Sequence, residues 1–114
     1  MKTMRIAAIV IGCAAATALL GSSQLGASEA AHTVGQKGKQ FSVANLKLRR
    51  GESIRFLNDD TVTHNVFSKS EVAPFNLKLQ PPGTQQDVRF EHPGTAIVRC
   101  AIHPMMRLEV TVEP

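Results

Sequence analysis

The 114-residue sequence contains no tryptophan, no tyrosine and only five phenylalanines. So few aromatic rings argue against a surface on which the bases of a single-stranded nucleic acid would stack, and no nucleic-acid partner is expected. The length allows one domain and excludes large catalytic architectures such as a β/α barrel or a dinucleotide-binding fold. Hydrophobic residues at 43% and charged residues at 19% are typical of a folded globular domain, not of a disordered tail.

Charge is also absent from residues 6–20, an apolar stretch that two basic residues precede. Small residues follow it, ending in Ser28-Glu29-Ala30. A basic segment, an apolar segment and small residues at positions −3 and −1 form the pattern of a secretory signal peptide. Ser28 and Ala30 fit those two positions. The sequence therefore predicts a signal peptide over residues 1–30, cleaved after Ala30, and export to the periplasm.

Three other interpretations of this segment fit less well. The apolar stretch is shorter than the roughly 20 residues that span a bilayer, so no stable membrane insertion is expected after cleavage. A cut after Ala27 would place the bulky Leu25 at position −3. A bacterial lipobox ending at Cys13 would lipidate that cysteine, but it would leave the apolar residues 14–20 on the mature protein. We therefore predict a single mature domain over residues 31–114.

The predicted domain alternates apolar and polar residues in short segments, and no sustained helical pattern occurs. The apolar positions that share a parity are Phe41 and Val43; Leu46 and Leu48; Ile54 and Phe56; Val62 and Val66; Val88 and Phe90; Ala96 and Val98; and Leu108, Val110 and Val112. Turn signals such as Pro81-Pro82-Gly83 separate these segments. Short strands at this spacing predict an all-β sandwich or barrel. Residues 68–83 have the least regular pattern.

Sulfur and imidazole donors are concentrated near the C-terminus. Cys100, His103 and Met106 lie within seven residues, and His64 lies far upstream. Two imidazoles, one thiolate and a weak axial thioether are the ligand set of a blue-copper electron-transfer site. Soft sulfur donors favour Cu(I) whereas imidazole accepts Cu(II), so this mixture traps neither oxidation state. The sequence therefore predicts a site for one type 1 copper ion.

Other chemistries explain these residues less completely. Cys100 is the only cysteine of the predicted domain, so no internal disulfide can form. Zinc would accept two histidines and a cysteine, but a thioether is a poor zinc ligand. A cysteine nucleophile could use His103 as its base, yet nothing in the sequence orients that base and Met106 would have no role. No Cys-x-x-Cys-His motif is present, so covalent haem is excluded. We predict a protein without a substrate site of its own.

Strand parity gives a separate argument for the same residues. Counting in steps of two places Cys100, His64 and Met106 on the core faces of their predicted strands. Met105 shares the parity of Arg107 and is expected to point outward. Strand parity alone, without the ligand motif, therefore predicts that three of the four donors point towards the core.

Over residues 32–114 the chain resembles cupredoxins of the plastocyanin, pseudoazurin and amicyanin kind. The spacing Cys-x-x-His-x-x-Met over residues 100–106 is similar to the compact ligand loop of amicyanin, with Pro104 after the histidine. His64-Asn65-Val66 resembles the family's first ligand motif. The chain departs from amicyanin-like loops at Met105, where these often carry an aromatic residue.

The resemblance implies a Greek-key β-sandwich of about seven or eight strands. It implies that His64, Cys100 and His103 are the equatorial copper ligands and that Met106 is the axial one. It also implies that Asn65 ties the two ligand segments together and donates its backbone amide to the cysteine sulfur.

The same resemblance implies a monomeric one-electron carrier of the periplasm that cycles copper between Cu(I) and Cu(II). Its partners would be redox proteins such as a dehydrogenase or a cytochrome c. Electrons would enter or leave at His103, beside Pro104 and Met105. The alternative is a protein that stores or delivers copper. Such proteins usually have open or Met/His-rich sites, whereas these donors lie at strand ends in a closed framework.

Overall fold

A computed structural model describes residues 30–114, which form nine β-strands and no helix. Within that range there is accordingly no helix that could cross a membrane. Except for Ala30, the predicted signal peptide lies outside the described residues, as does the lipobox alternative at Cys13. The strands are β1 His32–Lys37, β2 Gln40–Phe41, β3 Asn45–Arg49, β4 Ser53–Asn58, β5 His64–Ser68, β6 Phe75–Gln80, β7 Gln85–Arg89, β8 Gly94–Arg99 and β9 Arg107–Glu113.

The nine strands form two sheets, in the orders β2-β1-β4-β7 and β3-β9-β8-β5-β6. The pairs β1/β4 and β3/β9 are parallel, and the other pairs are antiparallel. The predicted all-β sandwich is confirmed. It has more strands than the seven or eight expected, because β1 and β6 were not among the predicted segments, and β6 lies within residues 68–83, where the pattern is least regular. In β1 the second inward side chain is the polar Gln36, which is fully buried.

One apolar core lies between the two sheets and takes side chains from both. Its buried members are Val34, Phe41, Leu48, Ile54, Phe56, Val66, Phe90, Ala96, Val98, Cys100, Met106, Leu108, Val110 and Val112. Alternate residues of β4 and β9 are buried, as a half-buried strand requires. Val43 and Val62 are each 40% exposed, contrary to the parity prediction, because both lie in loops outside the strands.

A cluster of buried amide side chains holds the loop that joins β4 to β5. Asn58 donates from Nδ2 to the carbonyl oxygens of Val62 and Gln80, at 2.9 and 2.8 Å. Its Oδ1 accepts from the backbone N–H of Asp60 at 2.9 Å. Gln36 donates to Gln80 Oε1 at 2.9 Å. Since buried polar groups are costly unless they are hydrogen-bonded, this cluster restrains the loop immediately before His64.

Candidate metal centre

The predicted donor residues meet where β5 begins and β8 ends. His64 is the first residue of β5, and Cys100 directly follows β8. These two strands are antiparallel neighbours, so the start of one adjoins the end of the other. His103 lies in the loop between β8 and β9. The topology therefore brings residue 64 next to residues 100–103 although they are far apart in the sequence.

Three donor atoms of these residues converge on one point. His64 Nδ1 lies 3.1 Å from His103 Nδ1, and Cys100 Sγ lies 3.9 and 3.8 Å from these two nitrogens respectively. A triangle with these sides has a circumradius of about 2.1 Å, close to the roughly 2.0–2.3 Å at which nitrogen and sulfur ligands bind a metal such as zinc. Together with Met106 these donors are the mixture of imidazole and soft sulfur that suits copper. The residues present fit a single copper ion.

Burial differs among the candidate ligands. His64 and Cys100 are 0% and 1% exposed, whereas His103 is only half-buried. The adjacent methionines differ most, since Met106 is 1% exposed and Met105 is 68% exposed. This burial agrees with the opposite parities of the two residues. The assignment of Met106 as the fourth ligand stays a prediction.

Asn65 contacts both of the chain segments that carry the candidate ligands. Its backbone N–H donates to Cys100 Sγ at 3.3 Å. Its side-chain Oδ1 accepts from the backbone N–H of Ala101 at 3.1 Å. Asn65 is 5% exposed, so water competes little for these bonds. The start of β5 and the loop after β8 are thus linked by two hydrogen bonds from one residue.

A carboxylate that the sequence analysis missed holds the far side of His64. Asp60 Oδ2 lies 3.0 Å from His64 Nε2, and its Oδ1 accepts from the Thr61 backbone N–H at 2.7 Å. These hydrogen bonds, the one to His64 foremost, lower the Asp60 pKa from 3.8 to about 2. A carboxylate on Nε2 keeps the ring proton there and leaves Nδ1 free to bind a metal. Neither strand periodicity nor a ligand motif marks Asp60, which lies in an irregular loop.

The environment of His103 also favours a free ring nitrogen. Desolvation lowers its pKa below the usual value, and positive charge at His64 and Lys39 lowers it further. A lower pKa means that protons compete less well with a metal for the imidazole near neutral pH. The Nδ1 atom of His103 therefore meets less competition from protons at the point where the donor atoms converge.

Comparisons with known proteins agree with this geometry. The family described as "Copper binding proteins, plastocyanin/azurin family" matches residues 28–113. The methylamine utilization protein MauL of Methylorubrum extorquens is 35% identical over 68 residues, which are 59% of this chain and 60% of that protein. The chain thus matches less than two thirds of the length of MauL.

Two solved structures are similar in fold. A purple cupredoxin from Nitrosopumilus maritimus is 26% identical, with a TM-score of 0.64 over 72% of this chain and 99% of that one. A reduced amicyanin variant is 24% identical, with a TM-score of 0.69 over 75% of this chain and 85% of that one. The family match spans nearly all the described residues, including the three converging donors. The chain belongs to the plastocyanin/azurin family of copper-binding proteins, the cupredoxins.

Proposed function

We propose that this protein is a soluble one-electron carrier that holds one type 1 copper ion between His64, Cys100, His103 and Met106. The observation that carries the proposal is the convergence of two imidazole Nδ1 atoms and the Cys100 Sγ on a point about 2.1 Å from each. When bound, copper supplies a one-electron couple. Four protein donors leave no open position for a substrate, which favours a carrier over an enzyme.

The surrounding residues hold the donors in one arrangement. Asp60 accepts a hydrogen bond from His64 Nε2, and the Asn65 backbone N–H donates one to the sulfur of Cys100. His64 and Cys100 are packed in the core, where side chains have little freedom to move. Ligands that stay in place during oxidation and reduction keep the reorganisation cost of electron transfer low.

We further propose that partners bind at a docking face formed by His103, Pro104 and Met105. His103 is the most exposed of the candidate ligands, and Met105 beside it is 68% exposed. An exposed apolar surface next to a half-buried ligand allows a partner to approach closely and to exclude water. The partners would be redox proteins such as a periplasmic dehydrogenase or a cytochrome c. The name of MauL links that relative to methylamine utilization, so a methylamine-oxidising dehydrogenase is one candidate donor.

The visible spectrum of the copper-loaded protein tests the ligand assignment. We expect an intense band from charge transfer between the Cys100 thiolate and Cu(II), and its loss in Cys100→Ser. A colourless Cu(II) protein, or a band that persists without the sulfur, would contradict the type 1 assignment.

Copper exchange distinguishes a carrier from a storage or delivery protein. The buried positions of His64, Cys100 and Met106 favour slow loss of copper to an external chelator. Rapid loss from both oxidation states would instead favour the delivery function.

Export is tested by the intact mass of the protein recovered from the periplasm. We propose that the mature chain begins at Ala31, after cleavage of residues 1–30. A mass that still includes residues 1–20 would contradict this assignment, and a lipid adduct at Cys13 would establish the lipoprotein alternative.

A further inference from the structure

The edge strand β6 is irregular where it runs beside Asn65. Pairing between β5 and β6 joins Asn65 to Leu79 but Phe67 to Asn76, so two residues of β6 lie opposite one of β5. Lys78, in this interval, has a φ of 61°, in the left-handed region that side chains larger than glycine rarely adopt. A bulge of this kind redirects the backbone of an edge strand, and it often lies near functional sites.

The bulge is stabilised by the side chain of Asn76. Its Oδ1 accepts from the Lys78 backbone N–H at 2.8 Å, closing a turn from a side chain to a backbone two residues on. This bond is made with Lys78 in its left-handed conformation, and it offsets part of the strain there. The bulge turns the Lys78 carbonyl oxygen towards β5, where it accepts from Asn65 Nδ2 at 2.8 Å.

Asn76 and Lys78 together occupy the amide group of Asn65. Asn65 Nδ2 donates to Asn76 Oδ1 at 2.9 Å as well as to the Lys78 carbonyl. Both acceptors lie on one side of the Asn65 side chain, and the Ala101 N–H, a donor, lies on the other. If the amide rotated by half a turn, its Nδ2 donor would face the Ala101 N–H donor, and its Oδ1 acceptor would face the two acceptor oxygens. The Asn65 side chain is therefore held in a single orientation.

We infer that the β6 bulge positions the Asn65 link between the two ligand segments, and that Asn76 is a positioning residue for the thiolate hydrogen bond. This inference rests on the proposed copper site. The chain of contacts runs from Asn76 to the Asn65 side chain, from there to Ala101, and through the Asn65 backbone to Cys100 Sγ. Asn76 is exposed, and its side-chain oxygen accepts from Asn65 and Lys78, so its route to the candidate ligands runs through Asn65.

Removing the Asn76 side chain changes the electronic properties of the site by a defined route. Without Oδ1 the bulge loses the bond that stabilises it, and Asn65 Nδ2 loses one acceptor. A looser Asn65 donates a weaker hydrogen bond to Cys100 Sγ, which leaves the thiolate more electron-rich. A more electron-rich thiolate stabilises Cu(II) over Cu(I). The reduction potential therefore falls in Asn76→Ala.

The test compares three variants in the copper-loaded protein. Asn76→Ala is expected to lower the reduction potential and to shift the thiolate-to-copper band. Asn76→Asp retains an acceptor oxygen and restores the wild-type values, measured in high salt to screen its added charge. Phe75→Leu trims a partly buried side chain of the same strand outside the bulge, and it lowers the melting temperature without altering potential or band. A wild-type band and potential in Asn76→Ala, or equal shifts in Asn76→Ala and Phe75→Leu, would overturn the inference.

A second measurement keeps the inference separate from the proposed function. In the copper-free protein the side-chain amide protons of Asn65 are expected to exchange slowly with solvent, and at least tenfold faster in Asn76→Ala. Equal exchange rates would overturn the positioning role even if copper binds as proposed. A wild-type protein without a thiolate-to-copper band, but with this difference in exchange, would overturn the copper proposal and leave the positioning role supported.

Discussion

The two histidines of the centre lie in opposite surroundings. His64 is fully buried at the start of β5, its Nε2 is bound by Asp60, and the loop before it is restrained by Asn58. His103 lies in a loop and is half-buried, next to the exposed Met105. The comparison supports the proposed division of roles, in which the buried His64 would preserve the geometry of the site and the accessible His103 would exchange electrons with a partner. Three predictions test this difference between buried and accessible positions and a fourth tests the β6 bulge, in order of decreasing expected effect.

Removing the imidazole of His103 or of His64 should show the difference between the exposed and the buried position most clearly. In His103→Gly we expect added imidazole to enter the exposed gap and restore the thiolate-to-copper band. In His64→Gly the gap is buried, and loss of a core side chain beside Asp60 should also destabilise the protein by about 3 kcal/mol. The measurements are an imidazole titration followed by absorbance and a urea unfolding curve. Equal restoration of the band by imidazole in both variants would show that His103 is no more accessible than His64, contrary to the proposed roles.

The adjacent methionines provide a matched pair. Met106→Gln should lower the reduction potential by at least about 60 mV, a tenfold change in the equilibrium with a one-electron partner, because a harder axial oxygen favours Cu(II). Met105→Gln should leave potential and colour nearly unchanged but alter the reaction rate with a redox partner. Cyclic voltammetry and stopped-flow kinetics measure these quantities. A shift in Met105→Gln without one in Met106→Gln would place the axial ligand at residue 105.

Asp60→Asn tests the hydrogen bond between the Asp60 carboxylate and His64 Nε2. The substitution removes a negative charge from the Nε2 side of the ligand, which disfavours Cu(II), so the reduction potential should rise, by less than the Met106 effect. Asp59→Asn is the control, because Asp59 is an exposed residue of the same loop. Equal shifts in the two variants would mean that only the overall charge of the loop matters.

Lys78→Gly should produce the smallest effect, on stability alone. Relief of the left-handed conformation favours the folded state by roughly 1–2 kcal/mol, and the entropy of glycine in the unfolded chain offsets about half of that. The expected net gain is therefore up to about 1 kcal/mol in the free energy of unfolding, measured in urea, with the copper spectrum unchanged. A loss of stability would mean that the lysine side chain itself supports the bulge.

The strongly alternating parts of the chain could be predicted from the sequence, and they carry most of the candidate ligands. The parity of β8 and β9 leads directly to the burial of Cys100 and Met106, because a half-buried strand repeats every two residues. His64 follows in the same way from the parity of β5. Where an apolar pattern is interrupted, the prediction was wrong or absent. Val62 shares the parity of β5 but precedes the strand, and it is exposed.

The supporting residues could not be predicted, for physical reasons that differ between them. In β6 the apolar residues alternate, but the bulge at Lys78 reverses which face is buried, so that Leu79 is 67% exposed and Gln80 is 1% exposed. Asp60 and Asn76 are polar residues whose roles depend on contacts across the fold. Periodicity encodes which side of a strand is buried, and it carries no information about such contacts.

A redox titration of the one-copper protein tests the central claim most directly. We expect that one electron per protein bleaches the thiolate-to-copper band, that an oxidant restores it fully, and that the copper stays bound throughout. The potential should follow a one-electron curve. Release of copper on reduction, or a band that one electron does not bleach, would contradict the assignment of this protein as a one-electron carrier.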